Sequence, residues 1–280
     1  MTLIMKGSEV SASMKLKLAE EISQLDFTPS LAIIRVGSRP DDLAYERGIL
    51  KRFESLGLSV KVHELPNDIS QTDFDAEFSR LNDDKDVHGI LLFRPLPESL
   101  SDEFAVNNIN PRKDIDCMSK INIAGVFSGD KEAFAPCTAS AVMEMLAHYN
   151  FDLQGKNVVI IGRSLVVGRP LAMLMLAKNA TVTICHTKTQ NLPEICKRAD
   201  ILVAAAGKAG VITSDFVSDK SIVLDVGINV NAQGKLCGDV DYENVAPIVQ
   251  AISPVPGGVG AVTTSVLAKN LIRAAKLFSE

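Results

Sequence analysis

Glycine, arginine and serine crowd one short turn of this chain, Gly162-Arg163-Ser164, and Gly168 follows. An apolar run, Val158 to Ile161, leads into the turn, Val166 to Lys178 reads as a helix, and Thr181 to Cys185 is a second apolar run. Strand, glycine turn, helix, strand is the first βαβ unit of a dinucleotide-binding fold. Gly162 lets the backbone turn sharply and Gly168 lets the helix approach the sheet. The N–H groups at the helix start then face outward, where a pyrophosphate binds. The spacing is G-x-S-x-x-x-G rather than G-x-G-x-x-G, so glycines that serve packing alone fit the same letters.

The second strand ends Cys185-His186-Thr187-Lys188, without the carboxylate that NAD-preferring sites place on the ribose 2′-hydroxyl. With Arg163 in the turn, this basic, hydroxyl-bearing pocket suits a 2′-phosphate, so NADP is expected over NAD. Solvated strand-end cations are the plainer reading. A third stretch, SPVPGGVG at 253–260, has glycines that let backbone approach a flat ligand and prolines that stiffen it; a rigid turn between domains is its alternative. No serine or cysteine stands at a triad spacing from a histidine. Hydride transfer needs no triad, because the cofactor carries the chemistry.

The elements that must position these residues alternate along the chain. Ser11 to Leu25 reads as an amphipathic helix, Ser30 to Val36 as a strand, Asp41 to Leu56 as a helix stopped by Gly57, and Ser59 to Leu65 as a strand. Ile69 to Leu81 is a further helix and Gly89 to Phe93 a buried strand. Such alternation predicts a parallel sheet with helices on both faces, and ligands outside the carboxyl ends of the strands. From Asn107 to Pro136 the periodicity fades, and the segment reads as a long connection crossing between domains. Ala139 to Tyr149 is helical, Ile201 to Ala205 and Ile222 to Val226 are buried strands, SPVPGGVGAVTT at 253–264 has no regular structure, and Ser265 to Phe278 is a final helix.

At 280 residues two domains are the better expectation. A net charge of -5 offers no electrostatic reason for a nucleic-acid or anionic-membrane partner. No stretch reads as a signal peptide or a membrane span. The five cysteines (Cys117, Cys137, Cys185, Cys196, Cys237) are scattered, as are the four histidines. That pattern predicts reduced thiols in a cytoplasmic setting and no metal site.

Several runs in register resemble one known family. Ile160 to Pro170, Asp225-Val226-Gly227-Ile228-Asn229, Gly238-Asp239-Val240 and Pro254-Val255-Pro256-Gly257-Gly258-Val259-Gly260 look like the methylenetetrahydrofolate dehydrogenase/cyclohydrolases. Pro95-Leu96-Pro97, Lys113-Asp114-Ile115-Asp116 and Pro136-Cys137-Thr138 match in the same order. The resemblance implies an α/β protein of two domains with a cleft between them: an N-terminal three-layer folate-binding catalytic domain, residues 1–138 plus 263–280, and a Rossmann-type NADP-binding domain, residues 139–262. It implies oxidation of 5,10-methylenetetrahydrofolate by NADP, hydrolysis of the methenyl cation to 10-formyltetrahydrofolate in one-carbon metabolism, and a homodimer. Carried over residue by residue, Gly162, Arg163 and Ser164 line the cofactor phosphates, with Arg163 and Thr187 near the 2′-phosphate and Ile228 on the nicotinamide side. Tyr45 stacks on the pterin and Asp116 bonds its amino-pyrimidine edge; these two are the catalytic candidates. Pro254, Val255, Gly257 and Gly258 close over the substrate.

The chain departs from that family at three positions. The family's Y-x-x-x-K lysine is Ile49 here, its strand-end glutamine is Phe93 followed by Arg94, and the serine commonly found before the tyrosine is Asp42. Dehydrogenation leaves a cation delocalised over two nitrogens, so positioning and cofactor suffice. Hydrolysis needs an activated water and mobile protons, which isoleucine cannot supply. Lys51 points roughly 120° away from Tyr45 on the helix, and Arg52 stays protonated. Arg94 either enters the site to pair with Asp42 or Asp116, or is a surface residue. Dehydrogenation is therefore expected to be retained and hydrolysis to be weak or rerouted. A fully bifunctional enzyme that activates water differently, and a nucleotide-binding regulator without turnover, remain the alternatives.

Overall fold

The computed structural model describes residues 1–278. The last two residues assigned above to the catalytic domain, 279 and 280, lie outside the described residues. The elements run β1 (Leu3–Ile4), α1 (Gly7–Ser23), β2 (Ser30–Val36), α2 (Pro40–Glu54), β3 (Ser59–Leu65), α3 (Gln71–Asp83), β4 (Gly89–Leu92), α4 (Glu103–Asn108) and α5 (Lys120–Ser128). They continue with α6 (Cys137–His148), β5 (Asn157–Ile161), α7 (Gly168–Leu176), β6 (Thr181–Cys185), α8 (Leu192–Lys197), β7 (Ile201–Ala204) and β8 (Ile222–Asp225). A short hairpin of β9 (Asn229–Val230) and β10 (Leu236–Cys237), then α9 (Tyr242–Val245), β11 (Ala251–Ile252) and α10 (Gly260–Leu277) complete the chain. Contacts divide the described residues into two compact units, 14–137 with 264–278, and 1–13 with 138–263.

The first unit holds a parallel sheet in the order β3-β2-β4. All seven residues of β2 are buried, as a central parallel strand covered on both faces requires. Phe74, Phe78 and Leu81 of α3 pack on Ala32, Ile34, Ile90 and Leu92, each large side chain contributing roughly 1.5–3 kcal/mol. Helix α2 begins with Pro40 and carries Asp41 and Asp42 in its first turn and Lys51 and Arg52 in its last, charges that complement the helix dipole.

The second unit is a six-stranded parallel sheet in the order β1-β11-β8-β7-β5-β6. Strands β5, β7 and β8 read as continuous apolar runs because both faces are covered. Their order doubles back at β5, so a switch point lies between β5 and β7. Residues 1–13 group with this unit and not with residues 14–137, because β1 pairs with β11 through Leu3↔Ala251 and Ile4↔Ile252.

Two expectations need correction. The segment 107–136 is no crossing connection but part of the first unit, with α5 inside it and a bridge from Asp114 to Ile90. Its order comes from polar side chains that bond backbone, to which hydrophobic periodicity is blind. Residues 260–264 are the first turn of α10 rather than irregular chain: Val262 and Thr263 are buried there, and only the Pro/Gly portion before them resists the helix. Helix α7 also starts later than expected, at Gly168, because the Ser164 Oγ accepts the Val167 N–H at 3.0 Å and holds a turn through 164–167.

Candidate active site

In the first unit Tyr45 projects from α2 and meets Phe93, which follows β4, with ring centroids 5.7 Å apart. Asp116 faces the same cluster. Burial, then the Asp116 carboxylate and the Cys137 thiol, push the Tyr45 phenol well above its ordinary range. Burial likewise raises the Asp116 carboxyl, against the pull of the Cys137 N–H, which donates to Oδ1 at 2.8 Å. The Asn270 amide donates to the Ile115 carbonyl at 2.8 Å and to Cys137 Sγ at 3.7 Å, tying α10 to both neighbours of that carboxylate.

The Lys113-Asp114-Ile115-Asp116 run separates into a scaffold and one candidate. Lys113 is buried, and its Nζ donates to the carbonyls of Asn82 and Asp84 at 2.7 and 2.6 Å, closing the end of α3. Asp114 is fully buried and accepts the N–H groups of Met118 and Ser119 and the Asn122 amide. These bonds hold the turn in which Cys117 sits at φ 59°, a conformation uncommon outside glycine. The turn places Asp116 near enough for its charge to act on Tyr45.

Ile49, one turn after Tyr45, is fully buried, and Phe93 is 6 % exposed. The wall beside the tyrosine is therefore apolar where a base would stand. Lys51 is exposed, and burial lowers the affinity of Arg52 for its proton without making it a base. Arg94 forms its ion pair with Asp102 at 3.2 Å, and Asp42 is held by Arg39 at 2.8 and 3.0 Å. Arg94 thus makes its direct ion pair with Asp102, while its charge still favours the ionised form of Asp116.

In the second unit the glycine turn is built as its residues require. Gly162 has φ 138°, and a Cβ there would stand 2.2 Å from the Ala205 carbonyl oxygen; one on Gly168 would stand 2.0 Å from the Gly162 oxygen. The Gly162 N–H donates to the Cys185 carbonyl at 2.9 Å, which fixes the end of β5 beside the end of β6. Arg163, Ser164 and Thr187 are exposed around that end. Helix α7 aims its N-terminus at the same place, so a bare backbone cradle, a helix start and a cation adjoin: donors suited to a dinucleotide's phosphates. Ile228 follows β8 and is 70 % exposed. The 254–258 loop is anchored by the Gly7 N–H, which donates to the Gly257 carbonyl at 2.8 Å.

One hub of this unit escaped the sequence reading. Asp239 is fully buried, and its carboxylate accepts the N–H groups of Ala206, Gly207 and Lys208 and the Asn229 amide at 2.6–3.0 Å. It thereby shapes the loop after β7 that packs on Gly162. Asp225 accepts the N–H groups of Gly227, Asp239 and Val240. The motifs around them pointed to the family but not to this role, and the nearby glycines carry the physical signal: a Cβ at Gly238 would meet the Asp225 carboxylate at 1.9 Å, and one at Gly227 the Asp239 carboxylate at 2.3 Å.

Burial pushes the Asp225 carboxyl up to about 6 despite its three N–H donors. Its pKa is thus higher folded than in the unfolded chain, where it is about 3.9. Its stabilising contribution is present in full below about pH 4 and falls by about 3 kcal/mol as pH rises through 6. Urea unfolding of the wild type and Asp225→Asn at pH 4 to 7 reads this slope. A stability difference between the two proteins that is constant with pH contradicts it.

Comparison with known proteins identifies the family. A family model described as the tetrahydrofolate dehydrogenase/cyclohydrolase catalytic domain matches residues 5–116, and one described as the NAD(P)-binding domain of the same proteins matches residues 136–279. A bifunctional protein FolD 1 of Desulfitobacterium hafniense is 52% identical over 279 residues, covering 99% of each chain. The crystal structure of the bifunctional FolD methylenetetrahydrofolate dehydrogenase/cyclohydrolase of Campylobacter jejuni superposes with a TM-score of 0.96 at 38% identity, over 99% of each chain. That of Trypanosoma brucei, solved with NADP cofactor and inhibitor, gives 0.92 at 33% identity over 99% of this chain and 98% of that one. This chain belongs to the tetrahydrofolate dehydrogenase/cyclohydrolase family.

Proposed function

We propose that the chain oxidises 5,10-methylenetetrahydrofolate to the methenyl form with NADP, and hydrolyses that product to 10-formyltetrahydrofolate with a weakened second step. The observation that carries this is the Tyr45–Phe93–Asp116 cluster with the buried Ile49 one turn along. Residues 14–137 with 264–278 would bind folate, and residues 138–263 the cofactor. The Asp116 carboxylate accepts from the amino-pyrimidine edge of the pterin and Tyr45 stacks on its rings, holding the methylene carbon in one orientation. Pro254, Val255, Gly257 and Gly258 are further substrate contacts. Gly162, Arg163 and Ser164 hold the cofactor phosphates, Arg163 and Thr187 select the 2′-phosphate, and Ile228 lies along the nicotinamide. NADP, when bound, supplies the hydride acceptor.

No residue here need move a proton for that step. Hydrolysis differs: a water must lose a proton as it attacks the cation. The Tyr45 phenol, raised above its ordinary range, keeps its proton at neutral pH, and Ile49 has none to exchange. Asp116 is the remaining acceptor, and it is already committed to the pterin. Five free cysteines, four of them buried, support a reducing cytoplasm; among the described residues no helix is long and apolar enough to cross a membrane. A homodimer is part of the proposal, and sedimentation equilibrium tests it.

The deciding assay mixes the protein with 5,10-methylenetetrahydrofolate and NADP and follows NADPH and both folate products, with spontaneous hydrolysis subtracted. NADPH should appear first, with the methenyl form accumulating ahead of 10-formyltetrahydrofolate. If no NADPH forms with NADP or NAD, the proposal fails. If 10-formyltetrahydrofolate keeps pace with NADPH, the weakened second step is wrong.

A further inference from the structure

The opposite end of the first unit's sheet carries a groove that the reaction does not use. Its volume is about 450 Å³, within the range of small-molecule sites. Phe27, Ser30, Ser59, Lys61, Asp86 and His88 line it. Ser30 opens β2, Ser59 opens β3 opposite it, and His88 stands just before β4. Seven strand residues, about 20 Å, separate Ser30 from the strand ends at which Tyr45 and Phe93 gather.

Ser30 is 7 % exposed, and its hydroxyl has no hydrogen-bond partner among the described residues. A buried hydroxyl left unpaired is unfavourable and is rare in native proteins. Beside it His88 stacks on Phe27, with centroids 5.1 Å apart, and Phe278 meets the other side edge-on. His88 Nδ1 accepts the Ser30 N–H at 3.1 Å. Burial and the nearby Lys113 lower the affinity of His88 for a second proton, so the ring is neutral with its proton on Nε2, a further donor. At the rim Lys61 and Asp86 are exposed charges of opposite sign, and no ion pair among the described residues engages either. The groove thus offers hydroxyl donors, one cation, one anion and an aromatic flank.

We propose that this groove is an accessory site for a small zwitterion of the α-amino-acid class. The ligand carboxylate takes the Ser30 hydroxyl and Lys61, its ammonium faces Asp86, and its side chain lies on Phe27. The opposed fixed charges disfavour a simple anion site, and the orphan hydroxyl supplies a buried donor without a partner among the described residues.

The test titrates the full chain with L-leucine, with 4-methylpentanoate (its carboxylate alone) and with 3-methylbutylamine (its amine alone), following the His88 ring resonances by NMR. Leucine should bind at least about threefold more tightly than either analogue, the worth of one exposed ion pair. Asp86→Asn should reduce leucine to the level of 4-methylpentanoate, and Lys61→Gln to that of the amine. Ser30→Ala should weaken leucine binding while raising the Tm of the free protein, since it removes a hydroxyl without a partner. No ligand-dependent shift of His88 overturns the proposal. So does 4-methylpentanoate binding as tightly as leucine, or a lowered Tm in Ser30→Ala.

Discussion

Replacing Ile49 by lysine together with Phe93 by glutamine is expected to raise methenyl hydrolysis by about 10²-fold, the lower end of what a positioned general base supplies, with NADPH formation nearly unchanged. The geometry favours the pair over either single change. Ile49 lies one helical turn from Tyr45 and is fully buried, so an amine there is desolvated and its pKa falls toward the working range of a base. Buried alone, that amine has no partner and destabilises the protein. Phe93 sits where a glutamine could meet it: its backbone N–H donates to the Ile34 carbonyl at 2.9 Å, so the strand end is held whatever side chain it carries. The exchange loses the Tyr45–Phe93 ring contact, about 0.5–1.5 kcal/mol, and Tm should drop modestly. Hydride transfer depends on Asp116 and the cofactor, which the double variant leaves alone. Partitioning of product between methenyl and formyl forms at matched NADPH is the readout. A folded double variant with unaltered partitioning removes the case for Ile49 and Phe93 as the cause of weak hydrolysis.

Asp239→Ala should disable the cofactor side outright, with a loss of about 3–5 kcal/mol in stability and a weakening of NADP binding beyond what the lower stability explains. The substitution strands four donors at once, the N–H groups of Ala206, Gly207 and Lys208 and the Asn229 amide. Each buried donor left without a partner costs about 1–3 kcal/mol, and local water offsets part of the sum. The loop so released is the one whose Ala205 oxygen lies against Gly162, so the turn for the phosphates loses its far wall. Asp239→Asn separates charge from shape: one oxygen still accepts, while the new amide faces N–H groups. Calorimetric NADP affinity and Tm, measured on both variants, test this. Unchanged NADP affinity in a folded Asp239→Ala would show that the loop does not shape the cofactor site.

Where backbone and side chain agree locally, this chain was legible before its structure. Ser30–Val36, Ser59–Leu65 and Thr181–Cys185 match their strands residue for residue: the first because a continuous apolar run bounded by turn residues is a central strand covered on both faces, the other two because β-branched residues alternating with polar ones suit the sheet edges they occupy. Gly162 and Gly168 announced their turn, and the contacts a Cβ would make there show why no other residue fits. The exchange of a lysine for Ile49 was readable through the family resemblance, and helical spacing puts that position one turn from Tyr45. What one dimension hid was every bond between a side chain and distant backbone. Asp114 holding Met118 and Ser119, Asn270 reaching Ile115, and Asp239 gathering donors from thirty residues upstream leave no periodic trace. Nor could composition say that Arg94 turns to Asp102, or that residues 1–13 leave their sequence neighbours to pair with Ala251 and Ile252. Local patterns are set by solvent and steric exclusion, which neighbours in sequence share. Polar networks depend on partners that only the closed chain brings within 3 Å.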